Sequence, residues 1–298
     1  MKNYINPVIL NSQKDNTSDP YVVKHNGRYY HCYNSNEEGV FITESENLSE
    51  IGSGRKLQVY GADASDTLRR WYAPELHYIN GKWYIYAAPD YGNDLHVMTI
   101  LEHEGDTPMG EYKYAGMVKG LENEWSIDGT VFHHNGKMYF IWATGYEMKM
   151  SEMSDPYTIT GERITVAKPE YDFETSGGAI TEGPAVLKRG NKLFIVYSAN
   201  ESQCDDYCLG LLTCSADDDI MNPENWIKSK TPVFEKAEKI FGPGHCSFTT
   251  VTENGEEVDY IVYHANLERG TGWMGRSVFI QPFTWDENDN PVFGRPRF

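Results

Sequence analysis

Apolar and polar residues alternate along this chain in short runs, and the runs come in pairs joined by a tight turn. Five stretches share the plan: "DPYVVKHNGRYYHCYNS" from Asp19, "APELHYINGKWYIYAAP" from Ala73, "DGTVFHHNGKMYFIWATG" from Asp128, "EGPAVLKRGNKLFIVYSA" from Glu182 and "HCSFTTVTENGEEVDYIVYHA" from His245. Each opens on a small, acidic or polar residue, runs as a strand, turns at Asn-Gly or Gly-Asn, and continues as a strand rich in Tyr, Trp and Phe. Asn-Gly between alternating runs marks a hairpin, because a type I′ turn needs positive φ at both central residues. The turn glycines Gly27, Gly81, Gly136, Gly190 and Gly255 are spaced 54, 55, 54 and 65 residues apart.

One or two further strand-like runs follow each hairpin, among them "GVFITES" at 39–45, "LHVMTIL" at 95–101, "LGLLTC" at 209–214 and "RSVFIQPF" at 276–283. About four strands in a repeat of roughly 50 residues is the signature of a propeller blade. The pattern predicts an all-β, five-bladed β-propeller occupying residues 1–298 as one domain, without a long amphipathic helix. Two stacked β-sandwiches are the alternative, and the regular recurrence of the turns favours the propeller.

In a propeller the first strand of every blade lines the central channel. Eight residues before the turn glycine stand Asp19, Ala73, Asp128 and Glu182; in the longer fifth hairpin His245 stands ten before. The register therefore expects three carboxylates at one mouth of the channel. Singly, such acids are ordinary turn residues. Together they repel, and clusters of that kind mark functional sites. Glycoside hydrolysis by inversion uses this arrangement: one carboxylic acid protonates the leaving oxygen, and a second carboxylate about 6.5–9.5 Å away activates water on the opposite face. A third acid tunes and orients the donor.

Composition narrows the partners. The net charge is −18, which argues against nucleic acid and an anionic membrane surface as partners and is compatible with a neutral substrate. No run approaches the roughly 20 apolar residues that span a bilayer. The first residues lack the apolar core of a secretion signal, so a cytoplasmic address is expected. Cys32, Cys204, Cys208, Cys214 and Cys246 are odd in number and unpaired in spacing. That argues against a disulfide scaffold and suits a reducing compartment. The pair in "CDDYC" lacks the second pair a zinc site needs.

With these motifs in order, nearly the whole chain resembles glycoside hydrolase family 43, from "NPVIL" at 6–10 to "NPVFGRP" at 290–296. The resemblance is carried by "SDPYVV", "WYAPELHYINGKWYIYAA", "WSIDGTVFHHNGKMYFIW", "ITEGPAVLKRGNKLFIVYSA" and "FGPGHCSF". It implies a five-bladed propeller and an inverting mechanism, with Asp19 as general base, Glu182 as general acid and Asp128 holding and tuning Glu182. It further implies that Trp71, Tyr72 and Trp125 wall the sugar subsite, with propeller core as the alternative for the first two. Arg276 would contact the sugar. Glu75, two residues beyond Ala73, reads as a hydrogen-bonded structural acid. His245 would touch a structural calcium ion or water in the channel; no cofactor is required for the chemistry.

The activity this resemblance favours is release of terminal α-L-arabinofuranose from arabinan or arabino-oligosaccharides. β-Xylosidase and endo-arabinanase are the rivals on the same fold, and a sugar-binding propeller without catalysis is the rival from another class. The expected partner is an arabinose- or xylose-containing oligosaccharide or polysaccharide.

Overall fold

The computed structural model describes residues 4–11, 17–35, 39–61 and 68–298. Five antiparallel sheets stand around a channel. Blade 1 holds strands Tyr21–His25, Arg28–Ser35, Gly39–Ser45 and Arg55–Gly61; blade 2 holds Arg69–Ile79, Lys82–Asp90, Thr99–His103 and Lys113–Met117. Blade 3 runs Ile127–His134, Lys137–Thr144, Glu147–Asp155 and Thr158–Ala167, and blade 4 runs Thr181–Arg189, Lys192–Ala199, Cys208–Ser215 and Ile227–Lys228. Blade 5 has three strands, Phe241–Glu253, Glu256–Asn266 and Arg276–Pro282.

The chain's beginning completes blade 5. Ile9 bridges Val278 in antiparallel fashion, with Val8 N–H donating to the Val278 carbonyl at 2.9 Å and Val278 N–H to the Ile9 carbonyl at 2.9 Å. Asn6 adds side-chain bonds in both directions to Ile280. The segment ahead of blade 1 is thus tied to the last blade by backbone bonds, which covers the outer edge of that sheet.

Five apolar interfaces hold the ring, one between each pair of neighbours. Their alternation explains why the second strands read as nearly continuous apolar runs. In "KLFIVYSA", Leu193, Ile195 and Tyr197 pack toward blade 3, while Phe194 and Val196 pack toward blade 5. Both faces are buried because successive side chains point to opposite sides of the sheet. The interface between blades 1 and 5, with Val22, Tyr29, Val262 and Val278, closes the circle.

The turns carry the predicted chemistry with one difference. Asn26–Gly27, Asn80–Gly81, Asn135–Gly136 and Asn254–Gly255 all have positive φ at both positions, as type I′ turns require. Blade 4 reverses the order to Gly190–Asn191, and there the glycine alone is left-handed, φ 53°. This is the requirement of a type II′ turn. Its glycine sits one place earlier in the turn than the others, so counting back from it misaligns the strand by one residue.

Candidate active site

The bulges show the true alignment. At the start of four inner strands, two residues oppose one on the next strand: between Tyr72 and Glu75, Ile127 and Thr130, Glu182 and Ala185, and Gly244 and Ser247. The first residue of each bulge is left-handed: Ala73 (φ 41°), Asp128 (φ 55°), Gly183 (φ 57°) and His245 (φ 41°). Asp19 (φ 52°) takes the same conformation just before blade 1. The equivalent of Asp19 and Asp128 in blade 4 is therefore Gly183, not Glu182. Glu182 stands one residue earlier, paired across the ladder with Ser198. The expectation of one shared position for all three acids is corrected to two shared and one adjacent.

Non-glycine residues at positive φ are strained, and such strain persists where a surrounding network holds it. Here the network is visible. The Asp19 amide donates to His264 Nδ1 at 3.1 Å, the His245 amide donates to Ser198 Oγ at 2.7 Å, and the Gly183 amide donates to Asp128 Oδ2 at 3.0 Å. Glycine is needed at 183 for space as well as angle. A Cβ there would stand 3.0 Å from His245 Cγ and 3.2 Å from Ser198 Oγ.

The bulges bring the acids to one channel mouth. Asp19 belongs to blade 1 and Glu182 to blade 4, which are not neighbours in the ring, so the two enter from separate sides. Asp128 belongs to blade 3, beside Glu182's blade, and its carboxylate is bonded to the residue after Glu182. Asp128 is 5% exposed, whereas the Asp19 side chain keeps 20% of its surface open to solvent.

Two cations stand over the acids. His245 Nδ1 is 3.1 Å from Asp19 Oδ1 and 3.9 Å from Asp128 Oδ2, and Arg276 Nη1 is 3.3 Å from Asp19 Oδ1. Burial pushes the His245 ring toward neutrality, but Asp19 and Asp128 more than offset it and raise its pKa to about 9. Burial also pushes Asp19 up, yet the charge and hydrogen bond of His245 and the charge of Arg276 hold it well below the usual carboxylate range. Asp19 is a carboxylate at neutral pH, ready to accept a proton.

The other two acids go the opposite way. Burial, together with the charges of Glu182 and Asp19, raises Asp128 to about 7 against the pull of His245 and the Gly183 amide. Glu182 is raised mainly by burial; the Tyr207 hydroxyl, which donates to its Oε1 at 2.7 Å, and the charges of His245 and Arg276 restrain the rise. Carboxyls with opposite proton affinities at one site mark a base and an acid.

The remaining candidates fall differently. Arg276 is 5% exposed and reaches both Asp19 and the Ser202 carbonyl, at 2.8 Å from Nη2. Trp71 is corrected: it is 1% exposed, lies in the interface of blades 1 and 2 edge-on to Tyr60, and offers no face to a sugar. Adjacent residues on a strand point to opposite sides, so Tyr72 faces the other way. Tyr72 is half-buried with one face stacked on His96 at 3.9 Å. Trp125 is half-buried three residues before Asp128. Glu75 is buried and accepts from His77 Nε2 at 2.8 Å, the structural role expected of it.

The donor set around His245 does not fit a calcium ion ligated directly by protein. Calcium takes six to eight oxygens. Here Nδ1 is engaged with two carboxylates, Asp19 is also held by Arg276, and Asp128 by the Gly183 amide. Among the described residues the grouping with metal-ligand spacing is Asp90, Asp94 and His96 in blade 2, where Arg70 already pairs with both acids. All five cysteines are free, four of them buried.

Sequence reading missed His264 and Tyr207. It followed first strands, whereas His264 lies on the second strand of blade 5, opposite Gly244. Tyr207 stands in "CDDYC", within the stretch "DDYCLGLLT" at 205–213 that shares the arabinofuranosidase likeness, but neither motif assigns the tyrosine a role. Its ring stacks parallel to His264 at 5.8 Å and beneath the Arg276 guanidinium at 5.7 Å. No signal in a single sequence marks either one.

Comparison with known proteins agrees with this geometry. The chain is 36% identical to an extracellular exo-α-(1→5)-L-arabinofuranosidase of Streptomyces chartreusis, over 88% of this chain and 82% of that protein. It is 32% identical to α-L-arabinofuranosidase 43 of Humicola insolens over 99% of its own length, but spans 64% of that longer protein. The structure of an α-L-arabinofuranosidase from Lactobacillus brevis superposes with a TM-score of 0.88 at 33% identity, covering 99% of this chain and 97% of that one. The profile of Glycosyl hydrolases family 43 matches residues 4–291, and with these acids at a propeller's mouth the chain belongs to that family.

Proposed function

We propose that this glycoside hydrolase releases terminal α-L-arabinofuranose from arabinan or arabino-oligosaccharides with inversion at the anomeric carbon. The observation that carries the mechanism is the geometry of Asp19 and Glu182, carried on non-neighbouring blades, with His245 and Arg276 against the first carboxylate and the Tyr207 hydroxyl on the second. Water beside Asp19 gives its proton to that carboxylate as its oxygen bonds the anomeric carbon. The glycosidic C–O bond breaks, and Glu182 passes its proton to the departing oxygen. Asp128 fixes the strand carrying Glu182 through the Gly183 amide, and when ionised it favours a protonated neighbour. Arg276 and His245 keep Asp19 ionised and are placed to contact sugar hydroxyls.

The arabinofuranoside reading is supported by the names of the two relatives and of the superposing structure. A β-xyloside or internal arabinan cleavage is the alternative on the same three acids. Assay of an aryl α-L-arabinofuranoside, an aryl β-D-xyloside and linear arabinan separates them, and the first should be turned over fastest. On an arabino-oligosaccharide, Asp19→Ala and Glu182→Ala should each lower kcat about 10²–10⁴-fold, the range of general acid–base catalysis. Near-normal turnover in either variant contradicts the roles. The Streptomyces relative's extracellular name stands against the cytoplasmic address expected from the sequence. Cell fractionation decides between them.

A further inference from the structure

We infer that the open face of Trp273 is a binding platform for the leaving part of the substrate, the arabinan chain beyond the sugar being released. This rests on the arabinofuranosidase reading. Of the seven tryptophans, all among the described residues, Trp273 alone is exposed, at 52%, and its neighbour Met274 is 71% exposed. Its edge is nonetheless fixed. The indole Nε1–H donates to Ser202 Oγ at 3.0 Å, and the carbonyl of the same Ser202 accepts from Arg276 Nη2 at 2.8 Å.

That one serine ties Trp273 to both halves of the site. Arg276 reaches the base Asp19, and the loop that carries Ser202 ends at Tyr207, whose hydroxyl holds the acid Glu182. The leaving oxygen departs past Glu182, so the sugars attached to it lie on the side of this loop. An aromatic ring with a pinned edge and a bare face matches a neutral sugar, whose C–H face packs on it at little entropy cost. The strongly acidic surface of the protein does not repel such a ligand, because it is uncharged.

The test is a ratio. kcat/KM is measured for α-1,5-linked arabinotriose, whose leaving part carries two further sugar rings, and for methyl α-L-arabinofuranoside, whose leaving group carries no ring. In Trp273→Ala the ratio of trisaccharide to methyl glycoside should fall about tenfold, equivalent to 1.4 kcal/mol. In Trp273→Phe, which keeps a ring face but loses the N–H, most of the ratio should return. A ratio within twofold of the original in Trp273→Ala overturns the inference. So does an equal loss on both substrates, which would mean that Trp273 acts only by bracing Ser202 and Arg276. If the unaltered protein hydrolyses neither substrate, the arabinofuranosidase reading itself has failed, and that outcome is distinct from the other two.

Discussion

Among the described residues the Tyr207 hydroxyl is the donor to Glu182 Oε1, at 2.7 Å, so Tyr207→Phe removes that bond, together with the hydroxyl's bond with Ser198, and leaves the ring against His264 and Arg276. A hydrogen bond to a carboxylate favours its ionised form and lowers its pKa. Its loss should make Glu182 hold its proton to higher pH. A bond to a charged group contributes about 1.5–3 kcal/mol, so the high-pH limb of kcat/KM should move up by about one to two pH units. Glu182 and Asp128 interact, so the limb reports the pair rather than one residue. The low-pH limb, set by Asp19, should stay in place. The assay is a pH profile of kcat/KM on an arabino-oligosaccharide, where a poor leaving group makes protonation matter. A high-pH limb that stays put or moves down refutes the assignment of Glu182 as the donor tuned by Tyr207.

Two further predictions concern stability. Gly183→Ala adds strain at φ 57° and a Cβ 3.0 Å from His245 Cγ, whereas Gly27→Ala adds strain at φ 76° with nothing within 4 Å. Thermal unfolding should show a cost of about 1–3 kcal/mol at 183 and a smaller one at 27, and equal losses would remove the crowding argument. Asp128→Asn should raise Tm at pH 8 more than at pH 4. The folded pKa of Asp128, about 7, lies above the ordinary 3.8, so the native state loses stability as pH rises between these values. An uncharged side chain escapes that loss, and an equal effect at both pH values would contradict the raised pKa.

The fold was legible because its signals are local and repeated. Four Asn-Gly turns and one Gly-Asn turn fix five hairpins, and their recurrence every 54–65 residues fixes the blade count. Register at the site was less legible. One reversed dipeptide, Gly190–Asn191, moved the reference glycine and placed Glu182 in a position that Gly183 occupies. The candidate acids were still found, because the bulge carries its neighbours to the same mouth. Trp71 and Tyr72 show a different limit: alternation says that the two face opposite ways, but one sequence does not say which faces the channel. His264, Tyr207 and Ser202 come from second strands and loops, whose approach to Asp19, Glu182 and Arg276 arises only when the ring closes.

The central claim is a single displacement by water between Asp19 and Glu182. Proton NMR of the sugar released from an α-L-arabinofuranoside, read before mutarotation, tests it most directly. The account predicts that the first product is β-L-arabinose. Initial release of the α anomer would contradict it, because retention requires an enzyme carboxylate to bond the sugar.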